Sequence, residues 1–166
     1  MDYHTICLWL GVALAFFLYL PLILGICRGE IEQNFATWIL WVALDVIVLG
    51  SVLLQKGNYV LVAMYCIGGT GVASALLYRK LTHWTRFETL TLVLVVLCMA
   101  VWAVSGSWWA TIASSLAVFI SGVPQIKDSW RKPDVPTGFI YLGYTLANLF
   151  SLLGGKTWAV EERFYP

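Results

Sequence analysis

Charged residues cut the chain into long apolar runs. Residues 3–27 contain no Asp, Glu, Lys or Arg, residues 35–55 are broken only by Asp45, and residues 57–78 are again uncharged. From Thr89 to Ile126 there is no charge for 38 residues. As a single helix that run would be about 57 Å long at ~1.5 Å per residue, too long for one crossing of a hydrocarbon layer roughly 30 Å thick. Ser105-Gly106-Ser107 is a turn signal and divides it into stretches of about 86–104 and 108–126. Residues 135–155 form the last uncharged run, and Lys156 to Pro166 is polar. About 20 mostly apolar residues suffice for a crossing, so this pattern predicts six transmembrane helices. Connections are short, which leaves no room for a separate soluble domain. Backbone in hydrocarbon must satisfy its own hydrogen bonds, so the expected fold is an all-α membrane bundle.

Composition points the same way. Sixty per cent of the 166 residues are hydrophobic and 11 per cent are charged, with a net charge of +1. Mean hydropathy is +0.81. Soluble domains carry about 25% charged residues, and a neutral balance offers no field for nucleic acid. The first run is too long for a signal peptide and lacks a charged start and a small-residue cleavage site. With the N-terminus outside, the inside connections hold Arg28, Arg79, Lys80, Arg86, Lys127, Arg131 and Lys132, seven of the ten cations. That excess predicts an N-out, multi-pass protein of a plasma or bacterial inner membrane, with its C-terminus also outside.

Catalytic signals are missing. Cys7, Cys27, Cys66 and Cys98 are scattered through apolar runs, which reads as buried small side chains rather than a zinc site or disulfide framework. His4 and His83 stand in terminal or loop positions and read as solvated. There is no zinc-protease, nucleophile-elbow or phosphate-loop motif. No enzyme activity, metal or cofactor is expected.

The chain contains an internal echo. Leu20-Pro21-Leu22-Ile23 ends the first run, and Val123-Pro124-Gln125-Ile126 ends the fifth. Thr37 opens the second run 16 residues after Pro21, and Thr137 opens the sixth 13 residues after Pro124. The odd fourth run inverts the chain, so the two units share one orientation.

Val123-Pro124-Gln125-Ile126, followed by Lys127-Asp128-Ser129-Trp130-Arg131-Lys132-Pro133 and Thr137-Gly138-Phe139, resembles the PQ-loop signature. That superfamily includes the SWEET and SemiSWEET sugar transporters and lysosomal exporters of cystine and basic amino acids. The resemblance is specific across roughly residues 110–155 and weak over 5–80, where Leu22 replaces the motif glutamine. It implies two parallel three-helix repeats joined by an inverting linker helix. Mapped here, residues 5–80 are the first repeat, 81–106 the linker, 107–155 a second repeat lacking its third helix, and 156–166 a polar tail. A full member has seven helices, so either the seventh is lost or the sequence is shortened; the end at Tyr165-Pro166 favours the latter. The sugar transporters place an asparagine in the third helix of each unit; here that helix carries Tyr65, Cys66 and Thr70 instead.

The resemblance implies a carrier that moves a small polar solute, a sugar or an amino-acid-like molecule, by alternating access. The alternative is a non-transporting membrane receptor or assembly factor of the same fold. Partners would be the solute, protons and the lipid bilayer; an oligomer is compatible with the sequence. Asp45 is the sharpest candidate. It is the eleventh of residues 35–55, near the midplane, where a carboxylate costs about 2.5–3.5 kcal/mol. It could bind a cationic or hydroxylated substrate, carry a proton, or stand protonated and bonded to a neighbouring helix. Asn148 lies eleven residues after Thr137, whereas Asp45 lies eight after Thr37, so the two are about one turn apart in depth, with Asn148 facing a shared cavity or gluing helices together. Trp41 is one turn before Asp45 on the same face and either stacks on a substrate or anchors at the membrane boundary. Tyr144 and Thr145 are lesser cavity candidates. Pro21 and Pro124 are candidate hinges of an inside gate, or static kinks, with Gln125 bonding across the bundle beside them. The other boundary tryptophans, Trp38 among them, read as an aromatic belt. Small residues at four-residue spacing (Gly69, Gly71, Ala73, Ala75; Ala113, Ala117, Ser121) read as close helix packing.

Overall fold

A computed structural model describes residues 2–54, 56–104, 107–158 and 163. Among the described residues every regular element is an α-helix. In chain order they are α1 (Tyr3–Arg28), α2 (Phe35–Leu54), α3 (Val60–Tyr78), α4 (Arg86–Val104), α5 (Ser107–Arg131) and α6 (Val135–Gly154). One helix occupies each apolar run. α1 and α3 are long and apolar enough to cross a membrane, and Phe35–Gly50 is a shorter apolar stretch. The turn expected at Ser105-Gly106 lies outside the described residues.

The helix ends follow from local chemistry. Gly29, at φ 76°, closes α1: its N–H donates to the Ile26 carbonyl at 3.0 Å and the Glu30 N–H to that of Gly25 at 2.8 Å. This is the αL cap that glycine adopts without steric cost. α4 opens on a capping box, with the Thr85 N–H donating to Glu88 Oε2 at 2.7 Å. α5 continues to Arg131, beyond the end at 126 expected from charge alone. Helix propensity does not stop at the edge of an apolar run; Arg131 suits a helix C-terminus, and Pro133 disfavours further helix.

Side-by-side packing follows the order α6, α1, α3, α2, α5, α4. α3 is wedged between α1 and α2, and the row curls so that side chains of α6 also reach α2 and α3. Close approach rests on missing side chains. A Cβ on Gly11 would meet the Ala147 carbonyl of α6 at 2.9 Å, and one on Gly143 would meet Leu18 of α1 at 2.6 Å. In α3, a Cβ on Gly69 would meet Val42 of α2 at 2.9 Å. Ala15, Ala117, Ala147 and Ser121 are fully buried. The Ala113 side chain lies outside the described residues.

Gly68 is the tightest of these positions: an added Cβ would stand 2.2 Å from the Tyr19 ring. Gly68→Ala is expected to destabilise the folded protein by about 1–3 kcal/mol through overpacking. Gly138→Ala, where nothing lies within 4 Å, should be neutral or stabilise by up to about 1 kcal/mol. Thermal unfolding in detergent micelles compares the two; equal effects would contradict this packing.

Candidate functional site

Two groups of polar side chains stand out, one at a bundle end and one in its middle. The end group is built by the connections 29–34, 79–85 and 132–134, which lie together, with Arg79 beside Gly29 and Lys132 paired to Glu32. Asn34 is its centre and is buried. Its Oδ1 caps α2 by accepting the Thr37 N–H at 3.1 Å. Its Nδ2 donates to Asp128 Oδ2 at 2.7 Å, and its own N–H donates to Gln125 Oε1 at 2.6 Å. The Gln125 N–H donates in turn to Thr37 Oγ1 at 3.2 Å, and Gln125 Nε2 donates to Ser129 at 3.1 Å. A buried polar group costs least when it is bonded, and this network bonds the start of α2 to α5. The α6 start repeats the device, with Asp134 Oδ2 accepting the Thr137 N–H at 3.1 Å.

Gln33 ties in α6: its Oε1 accepts from Trp38 Nε1 at 3.1 Å and from the Tyr141 hydroxyl at 2.8 Å. A cleft of about 310 Å³ opens here, lined by Glu32, Gln33, Gln125, Asp128, Lys132, Thr137 and neighbours. At its rim Lys132 donates to Glu32 at 2.9 Å. That hydrogen bond, then the Glu32 charge, raises the Lys132 ammonium above its usual pKa.

Aromatic rings from four helices fill the middle. Tyr19 of α1 lies 5.1 Å from Tyr144 of α6, 6.4 Å from Tyr65 of α3 and 6.2 Å from Trp38 of α2, between ring centroids. Trp38 and Trp41 are 5.3 Å apart, and Trp41 reaches Tyr141 at 6.4 Å. Most of these pairs meet edge to face, the arrangement the ring quadrupole favours. The Tyr65 hydroxyl donates to Asn148 Oδ1 at 2.7 Å, joining α3 to α6. The Trp41 indole N–H donates to the Val118 carbonyl of α5 at 3.2 Å, over the bare backbone of Gly122.

Asp45 is half-buried in mid-helix, within electrostatic range of Tyr19, Tyr65 and Cys66. No hydrogen bond or ion pair reaches its carboxylate among the described residues. The Tyr144 hydroxyl is buried and likewise lacks a hydrogen-bond partner in bonding geometry.

Asn148, Trp41 and Tyr144 are thus linked through a shared set of rings, Asp45 lies within electrostatic range of two of those rings, and Gln125 lies apart at the polar end. Thr145 faces outward and bonds only the Tyr141 carbonyl of its own helix. The two prolines stand in unlike places: Pro124 is fully buried beside the Asn34 network, whereas Pro21 is exposed on α1. Trp38 corrects the aromatic-belt expectation. It is 3% exposed, because Gln33 satisfies its indole N–H and frees the ring to pack inside. Trp130 and Trp158 are exposed. Sequence reasoning missed Asn34, Gln33, Tyr19 and Tyr141. Asn34 carried a usable signal, since Asn is a favoured N-cap and lies three residues before Thr37, as Asp134 does before Thr137.

No family model matches the chain, and no curated protein or solved structure matches it.

Asn34 can be dissected by substitution. Asn34→Ser keeps a capping oxygen but loses the bond to Asp128, with an expected cost of about 1 kcal/mol. Asn34→Ala also loses the cap, adding about 1 kcal/mol. Denaturation of the purified variants reads both; equal stability of the two would remove the capping role.

Proposed function

We propose that the chain is an integral membrane carrier of the PQ-loop type, moving a small polar solute by alternating access. In this reading all six helices span the bilayer, the N-terminus is outside, and the connections around Asn34 face inside. Residues 5–80 and 107–155 are parallel repeats, and 81–106 is the linker. The observation that carries the reading is the Asp45 carboxylate, placed in mid-helix without an ion pair among the described residues and within electrostatic range of Tyr19 and Tyr65. Charge so placed is costly and is retained where a solute or proton uses it. A soluble-type core would have excluded it or paired it.

Two features fit the rocking of one repeat against the other. The helix starts at Asn34 and Asp134 are capped alike, and the α2–α5 contact at the polar end is held by hydrogen bonds rather than by interlocked apolar side chains. Such bonds exchange readily with water when a mouth opens. The buried Pro124 removes one helical hydrogen bond at this contact, where a bend in α5 would part Gln125 from Asn34. Pro21 would be the corresponding hinge on α1.

Purified protein in liposomes, offered labelled sugars, neutral amino acids and organic cations with and without a proton gradient, should accumulate at least one class. Asp45→Asn keeps the shape and removes the charge, and should lower that uptake at least tenfold. Uptake and its gradient dependence unchanged in Asp45→Asn, or no uptake of any solute, would overturn the proposal.

A further inference from the structure

Resting on the carrier reading for its route of entry, we propose that the ring cluster around Tyr19 and Tyr144 is a binding site for a small methylated ammonium ion, with Asp45 as its counter-charge. Charge balance comes first. Every Lys and Arg of the chain lies in a connection, in the terminal turns of a helix or in the tail. The protein therefore supplies no cation in the middle of the bundle, while it places a carboxylate there. A ligand that brings a positive charge completes the pair.

The rings set the kind of cation. Tyr19, Trp38, Trp41, Tyr65, Tyr141 and Tyr144 come from four different helices and converge with centroid separations of 5.1–6.4 Å. Each edge-to-face contact sets the positive rim of one ring on the negative face of another. A tetraalkylammonium group makes the same contact with a full charge and displaces the rims it replaces. It also has no N–H to satisfy. A primary ammonium carries three donors, and a guanidinium five. Ring faces are poor acceptors for such donors, and beyond Asp45 the side-chain amide oxygens are engaged: Asn148 Oδ1 already receives the Tyr65 hydroxyl and Gln33 Oε1 receives Trp38 and Tyr141. The buried Tyr144 hydroxyl, which makes no hydrogen bond in bonding geometry among the described residues, would bond a hydroxyl or carboxylate on the ligand's other end.

The test uses the full chain in detergent, titrated with choline, with tetramethylammonium and with 3,3-dimethylbutan-1-ol, which has the shape of choline without its charge. Binding is read by tryptophan fluorescence and by thermal shift. Choline and tetramethylammonium are expected to bind at least tenfold more tightly than the neutral analogue. Asp45→Asn and Tyr144→Leu should each weaken choline at least tenfold, and Trp130→Leu, exposed and remote from the rings, should not. Asp45→Asn is isosteric and keeps the test valid if Tyr144→Leu fails to fold. Equal binding of choline and its neutral analogue, no binding of either cation, or full choline affinity in Asp45→Asn would each overturn the site. Uptake of labelled choline into liposomes separates this inference from the carrier reading. Choline bound with no uptake of any solute keeps the site and removes the carrier, whereas sugar uptake without choline binding keeps the carrier and removes the site.

Discussion

A carboxylate in mid-helix with no counter-ion constrains everything packed around it. Asp45 cannot be covered by aliphatic side chains alone, because a charge taken from water without a partner costs several kcal/mol. The rings within its electrostatic range are instead amphipathic: Tyr65, which hydrogen-bonds Asn148, and Tyr19, which packs with Trp38 and Tyr144 in the wider set that includes Trp41 and Tyr141. Those rings are bulky, and the helices that carry them make room elsewhere. Gly68 lies against Tyr19, Gly122 against Trp41, and Gly11 and Gly143 bring α1 and α6 together. The small-residue pattern of the bundle and its aromatic centre are thus two sides of one packing solution.

The polar end solves a different problem. Helix starts leave N–H groups unbonded, and here three connections crowd them together. Asn34 serves the Thr37 N–H, Asp128 and Gln125 at once, so the start of α2 and the last turns of α5 hold each other. The capping is local, but its effect is long-range, since it fixes the distance between α2 and α5 directly below Trp41. Middle and end are mechanically connected through Trp38, whose ring belongs to the aromatic group and whose indole N–H bonds Gln33 of the connection.

Much of the architecture was legible in the chain because charge is so scarce in it. Six apolar runs became six helices, with ends displaced mainly where a polar stretch kept helical propensity, as at Lys127–Arg131. Asp45, Asn148, Trp41 and Tyr144 could be picked out because each is polar or aromatic among aliphatic neighbours. Tyr19 and Tyr141 could not. A tyrosine in an apolar run is as consistent with a membrane boundary as with a core, and only the row order of helices, with α3 between α1 and α2, decides which faces meet. Trp38 was misread for the same reason: its partner Gln33 sits in a loop, and nothing local announces that a loop amide will satisfy a buried indole. The Asn34 network was hidden because its partners lie about 90 residues away.

The central claim is that the Asp45 position faces a space which solutes enter from the water on either side. Its most direct test is chemical accessibility. Asp45→Cys, in a background with Cys7, Cys27, Cys66 and Cys98 changed to Ser, would be reacted with a membrane-impermeant trimethylammonium thiol reagent from each side of oriented liposomes. The account predicts modification in the folded protein from both faces. Protection from both faces until the protein is unfolded would contradict it.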